Sequence, residues 1–357
     1  MTSLQDLGQA ATLATEHYFH RRGLVRSGVI RPCILHLFDS PQTGGATVAA
    51  RFVAALYSPG LPTLVIPPPS ACQRAVRTIA GFCDPHIRRQ LRGCLRHYAP
   101  DLVHLHNFKE AGTAAIAACR DYYVPVVWTC LDYWCLSPHD VDTLFSWRSY
   151  RPVKRHVPWI ANLALIGRRL RIMHWLNQLD AVICLSEHSK RLLRDHGLAV
   201  PPIHVVPLPV TVPNWTDNIS QAFGGMARDP NLVLFVGGPA PHKGKHIFDA
   251  AMKIVQQELP WIVGKSMTGA TRDQVLREIA RAACLVVPEQ WPNPGPVVIV
   301  EAQLLGTPVV ASRVGGIPEM GPTLVCDPAA ADCAEKITQV LRMNSNPLFR
   351  AYPSPLL

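Results

Sequence analysis

The feature that most narrows the folds open to this chain is a rhythm of short apolar, β-branched runs alternating with helix-length segments, in two series with one break between them. The first series reads "ILHLF" (34–38), "PTLVIP" (62–67), "PDLVHLH" (100–106), "VPVVWTC" (124–130), "DAVICLS" (180–186) and "IHVVP" (203–207). Between the runs lie helical patterns: Val48, Phe52 and Leu56 share one face after the first run, and Ile87, Leu91, Cys94 and Tyr98 share another before the third. Strands separated by helices cannot pair as hairpins, so they predict parallel sheets with helices packed on them.

The rhythm stops between Leu208 and Asn231, where five prolines and glycines stand among polar residues with no period. It resumes with "LVLFVGG" (232–238), a helix near Ile247–Leu259, "WIV" (261–263), a helix near Gln274–Ala283, "CLVVPE" (284–289), "TPVVAS" (307–312) and a helix around Ala334–Met343. The expected organisation is therefore a helical extension over 1–30, one α/β Rossmann-like domain over 31–208, a linker over 209–230, a second such domain over 231–343 and a tail over 344–357.

One segment of the second half conflicts with itself. "GPVVIVEAQLLGTPVVAS" (295–312) sets Glu301 inside an apolar run. Four β-branched residues, Val297 to Val300, favour a strand. Pro296 at the first helical position and Gly306 just past a helix end favour a buried helix of about three turns, with Glu301 in its first half. A buried carboxylate is either turned to water or held by groups that satisfy its oxygens.

Charge and cysteine content bound the function. The formal net charge of +10 suits anionic partners, but no stripe of basic residues interleaved with aromatics is present, so nucleic acid is not expected. The eleven cysteines form no CxxC pair, which reads as a reduced, cytoplasmic protein. Asp6 and Glu16 interrupt the start where a secretory signal would need an apolar core. His104 and His106 alternate along a strand and so share a face, but the sequence identifies no third ligand, and no metal site is assigned.

The chemistry-bearing loops all follow strands. Gly44–Gly45 comes after the first run, Gly237–Gly238 with Lys243 after the first run of the second half, and Gly315–Gly316 after Arg313. In an open parallel sheet, ligands bind beyond the carboxyl ends of strands, where glycines admit phosphates to the backbone and a lysine adds a point charge. GxGxxG and GxxxxGK[ST] are both missing, which disfavours a dinucleotide site and a P-loop.

"LVLFVGGPAPHKG" and the 35-residue "LVVPEQWPNPGPVVIVEAQLLGTPVVASRVGGIPE", supported by "PDLVHLHNF", "VPVVWTCLDYW" and "AVICLSEHSKRLLRDHG", resemble the GT-B glycosyltransferases of retaining family 4, which includes many bacterial polysaccharide and lipopolysaccharide enzymes. That resemblance implies two domains facing a cleft, the second one shortened here. It implies transfer of a hexosyl group from a nucleotide-sugar donor to a glycan or lipid-linked acceptor hydroxyl, with retention and no other cofactor. It implies that Glu301 receives ribose hydroxyls, that Lys243 neutralises the diphosphate, and that Asn293 and Asp132 stand at the reacting sugar. It further implies donor contacts at Gly44, Gly45, Gly237 and Gly238, and at Val297, Gly315 and Gly316. Three positions depart from the family pattern: Gly238 for an arginine, Asn293 for a glutamate, and Leu131 for a histidine before Asp132. His242, Arg313 and Glu289 are the nearby groups able to compensate. The alternative is a degenerate relative that binds sugar nucleotide or a partner enzyme. A helix over 157–177, with Leu163, Ile166, Leu170 and Met173 on one face from Trp159 and with Arg168 and Arg171 opposite, offers a peripheral membrane contact.

Overall fold

The computed structural model describes residues 34–38, 63–65, 83–106, 108–109, 111–136, 159–208, 219, 221–223 and 225–345. The first sheet contains β1 (Ile34–Phe38), β2 (Thr63–Val65), β3 (Leu102–Leu105), β4 (Val126–Cys130), β5 (Ala181–Cys184) and β6 (Ile203–Val205), in the order β2-β1-β3-β4-β5-β6. Every pairing in it is parallel, as the helical spacers require. The second sheet has β7 (Asp229–Val236), β8 (Val263–Met267), β9 (Ala282–Val287), β10 (Val309–Ser312) and β11 (Leu324–Cys326), also parallel, in the order β11-β10-β9-β7-β8. This is the expected α/β architecture of two Rossmann-like sheets.

The helices show how local chemistry sets the elements. In α1 (Pro85–Tyr98), Asp84 caps the start through the His86 N–H at 2.8 Å, and Pro85 occupies the first turn, where a missing donor is harmless. Its buried face is Ile87, Leu91 and Leu95, a strict spacing of four. The expected face through Cys94 and Tyr98 is therefore offset, and Tyr98 is exposed. The helix α2 (Ala114–Asp121) is half alanine and has no polar side to give a period, since six of its residues are buried. In α3 (Trp159–Leu176), Ile172, Met173 and Leu176 are buried while Leu170 is 65% exposed beside exposed Arg169 and Arg171. The predicted apolar face through both Leu170 and Met173 is corrected accordingly. No described helix is long and apolar enough to cross a membrane.

The remaining helices are α4 (Glu187–Asp195), α5 (Lys245–Glu258), α6 (Arg272–Arg281), α7 (Val297–Leu304) and α8 (Ala330–Ser345). The segment with Glu301 is helical, but it makes about two turns rather than three, and Glu301 is its fifth residue. Pro296 is the N-cap and not the first helical residue, while Gly306 adopts φ 66°, the left-handed stop that glycine takes most cheaply. The "WIV" strand moves to Val263–Met267, whose residues are mostly exposed at the sheet edge and so carry no apolar signal. Ile219 and Phe223, from the expected linker, join the core of the second sheet. Asn344 and Ser345 of the expected 344–357 tail belong to α8, and the rest of that tail, the expected 1–30 extension and the helix through Val48 lie outside the described residues.

Thr307 holds the end of α7 in place. Its hydroxyl donates to the Ile279 carbonyl at 2.7 Å and accepts from Arg228 Nη1 at 3.0 Å, while the same guanidinium reaches the carbonyls of Ala282 and Leu305. Thr307→Val keeps the shape and removes both bonds, so unfolding in urea is expected to show a loss of about 1–3 kcal/mol. A loss near zero would mean that the tie contributes nothing to holding α7.

Candidate functional site

At the carboxyl ends of β7, β9 and β10, three loops meet. The chain leaves β7 through Gly237 and Gly238 and makes one turn of 3-10 helix, Pro241–Lys243, before Gly244 starts α5. Gly244 takes φ 78°, and a Cβ there would lie 1.9 Å from the Pro288 carbonyl oxygen. Only glycine lets this turn sit against the segment that leaves β9. Gly315, at φ 62°, meets the same segment from the other side, since its Cβ would lie 2.3 Å from Pro292 Cα.

The segment so clamped, Glu289–Asn293, carries the polar centre. Glu289 is 5% exposed and takes Lys243 Nζ on one oxygen at 2.7 Å and Asn293 Nδ2 on the other at 2.8 Å. Its carbonyl accepts the Ser312 hydroxyl at 2.6 Å, and the Gln290 N–H reaches the His242 carbonyl at 2.8 Å. Asn293 Oδ1 accepts the Gly295 N–H at 3.0 Å and its carbonyl accepts the Gly316 N–H at 3.1 Å. The Trp291 ring lies 5.4 Å from Lys243 Nζ and packs edge-on against the rings of His242 and Tyr133. Lys243, His242, Asn293, Gly315 and Gly316 are thus brought together, with Glu289 as the hub.

Glu301 answers the question its position raises. It is 5% exposed and its oxygen lies 2.8 Å from Arg272 Nη2, in the first turn of α6. Burial raises its pKa and the guanidinium opposes that rise. The carboxylate expected to be satisfied by ligand or water is held by an arginine of the neighbouring helix α6. Arg272 is the residue that reasoning from sequence missed; it stands 29 positions from Glu301 behind a Thr271 capping box, and no local pattern connects the two.

Other expected residues lie apart from the hub. Arg313 is mostly exposed and only approaches Asp327 at 3.6 Å, and a Cβ on Gly238 would meet nothing within 4 Å. Val297 opens α7 and packs with Leu131, Leu185, Leu208 and Val300 in a small apolar cluster contributed by both halves of the chain. Asp132 follows β4, and desolvation pushes its pKa up to about 6, with the Trp134 N–H and Lys109 opposing. Gly44 and Gly45 lie outside the described residues.

The two halves touch here. Glu319, at the end of the Gly315–Gly316 turn, accepts the Glu187 and His188 N–H groups at 2.6 and 2.9 Å, so it caps α4 from the opposite sheet. A Cβ on Gly316 would lie 2.4 Å from the Ser186 hydroxyl.

Two family models match the chain: one described as Glycosyltransferase Family 4 over residues 44–212, the other as Glycosyl transferases group 1 over residues 230–343. Among curated proteins, it is 31% identical to a D-inositol 3-phosphate glycosyltransferase of Mycobacterium leprae, over 37% of this chain and 38% of that one. It is 25% identical to a glycogen synthase of Mycobacterium tuberculosis, over 68% of this chain and 65% of that one. The chain therefore spans less than two thirds of these relatives. Among solved structures, Anabaena HepE in complex with UDP and glucose shares the fold at a TM-score of 0.58 and 19% identity, covering 89% of this chain and 91% of that one. Sucrose-phosphate synthase from Thermosynechococcus elongatus does so at 0.58 and 18%, covering 87% and 90%.

Two outcomes follow from this geometry. Gly315→Ala forces both a left-handed alanine and a backbone clash, and a loss of roughly 2 kcal/mol or more in chemical denaturation is expected; a neutral result would mean the turn has slack that the contacts deny. For Asp132, a folded pKa of about 6, above the ordinary aspartate value of 3.8, means the native state binds the proton more tightly, so its contribution to stability falls as pH rises through that window. Asp132→Asn is expected to flatten the melting temperature between about pH 4 and 6; a variant profile parallel to the parent's would rule the assignment out.

Proposed function

Since the chain belongs to the GT-B glycosyltransferases, on family matches that together cover 44–212 and 230–343, we propose that it transfers a hexosyl group from a nucleoside-diphosphate sugar to a glycan or lipid-linked acceptor hydroxyl with retention of anomeric configuration. The observation that supports this reading is the gathering of Lys243, Asn293 and the Gly315–Gly316 turn around Glu289 at one set of strand ends. Residues 243, 293 and 316 are far apart in sequence, and a phosphate site at strand termini needs such convergence.

In this reading the acceptor half is 31–208 and the donor half 231–343, joined by 209–230. Negative charge grows on the departing diphosphate as the glycosidic bond breaks. Lys243 supplies a cation there, held in orientation by Glu289, and the Gly315–Gly316 turn lets the donor approach the backbone. Preorganised groups of this kind act without reorganising, which is why their effect on rate is large. Glu301 receives the ribose hydroxyls and Arg272 fixes its rotamer. Arg272 also restores a guanidinium to the donor half, where Gly238 has none. Asn293 donates to the sugar through an amide already aligned by Glu289. Asp132 works from the acceptor half, and the first-domain glycines Gly44 and Gly45 close over the phosphates. No cofactor beyond the donor is called for.

A lipid-linked acceptor accords with work at the cytoplasmic face of a membrane. Exposed Leu170 between exposed Arg169 and Arg171 supports a peripheral contact through α3, since apolar and basic groups together suit an anionic interface.

The test is incubation of purified protein with UDP-, GDP- and ADP-sugars and an acceptor extract, following diphosphate release and the anomeric proton of the product by NMR. Lys243→Ala is expected to lower kcat roughly 100- to 1,000-fold. Glu301→Gln is expected to weaken nucleotide binding about tenfold in calorimetry, the equivalent of roughly one hydrogen bond to a charged group. Unchanged turnover in Lys243→Ala, or no release from any donor, would overturn the proposal.

A further inference from the structure

Three histidines of the first sheet stand outside the machinery described above. His36 lies in the middle of β1 and His104 in β3, and the two are register partners. Side chains of paired strand residues share a face, and His106, two positions beyond His104, returns to that face. The three rings are buried, at 1%, 6% and 1% exposure. Their centroids are 5.5, 5.2 and 4.1 Å apart.

We infer that His36, His104 and His106 form a binding site for one divalent transition-metal ion of the zinc type. One ring nitrogen from each residue lies within 4.8 Å of those from the other two, and His36 Nδ1 is 2.9 Å from His106 Nε2. Two nitrogens on a single tetrahedral zinc, each at about 2.0–2.1 Å from it, lie about 3.4 Å from one another. The His36–His106 separation is about half an ångström below that value, and the third nitrogen lies within 4.8 Å of both. Thr129 Oγ1 stands 2.7 Å from His104 Nε2 and fixes that ring from behind, the kind of outer partner that orients a ligating histidine.

The donor set decides the kind of ion. Imidazole nitrogen suits zinc, copper, nickel and iron, whereas magnesium and calcium take oxygen. Three imidazoles leave one tetrahedral position for water or a small anion. A chain of paired hydrogen bonds would need only two nitrogens to face each other at a time; here three converge. The site runs from the middle of β1 and β3, where His36 and His104 pair, to His106 just past the carboxyl end of β3. His104 and His106 share a face in sequence alone, and His36, 68 positions from His104, is the third ligand that only the parallel pairing of β1 with β3 supplies.

The experiment dialyses the full chain against chelator, adds zinc, removes excess by gel filtration and counts metal by mass spectrometry. One zinc per chain is expected, with X-ray absorption showing three imidazoles in its shell. His36→Asn is expected to lower retained zinc at least tenfold, while His246→Gln, at an exposed position, leaves it unchanged. If His36→Asn fails to fold, the absorption spectrum of the parent still decides. No zinc retained by the parent, fewer than three imidazoles in its shell, or undiminished zinc in a folded His36→Asn would each overturn the inference.

Discussion

The carboxylate of Glu289 is the fixed point to which the loops after β7 and β9 are tied. It is almost wholly shielded from water, and each of its oxygens is engaged, one by a lysine and one by an amide. Removing one partner from a buried ion pair costs about 3–5 kcal/mol because the other is left uncompensated, so neither group can drift independently. Lys243 comes from the loop after β7 and Asn293 from the loop after β9. Joining them through one side chain turns two flexible connections into a single rigid rim. The steric fit of Gly244 against Pro288 and of Gly315 against Pro292 closes that rim from both sides, with contact distances that no side chain bearing a Cβ could meet.

The rim is also where the two sheets communicate. Glu319 satisfies two N–H groups at the start of α4, which would otherwise lack partners, and its negative charge suits the positive end of that helix. Leu131, Leu185, Leu208 and Val300 form an apolar cluster beside it, and Tyr133 meets Trp291 at 6.1 Å between centroids. The turn that carries Gly315 and Gly316 is therefore read by both halves.

Legibility in the sequence followed how far each feature depended on near neighbours. "ILHLF" and "CLVVPE" announced strands because central strands of a parallel sheet are buried on both faces and read as continuous apolar runs. The edge strand Val263–Met267 breaks that rule, since its first four residues are exposed and Gly264, Lys265 and Ser266 give no apolar run, which draws the reading toward "WIV". Pro296 and Gly306 mark the α7 segment as a helix despite its β-branched residues, though they suggest a longer one than forms. Periodicity misplaces the α3 face because Leu170 is apolar but exposed, a common event that it cannot flag.

Sequence by itself determined the two series of strands, the parallel α/β class, the glycine loops after strands and the presence of an anomalous glutamate in an apolar run. These rest on interactions within one or two turns, which chain order encodes directly. Only the tertiary structure decided that Arg272 satisfies Glu301, that Glu289 joins Lys243 to Asn293, and that His36 completes a set with His104 and His106. Each of those contacts depends on which strands lie side by side, and pairing order in a parallel sheet is set by the packing of the whole core, not by any local stretch of residues.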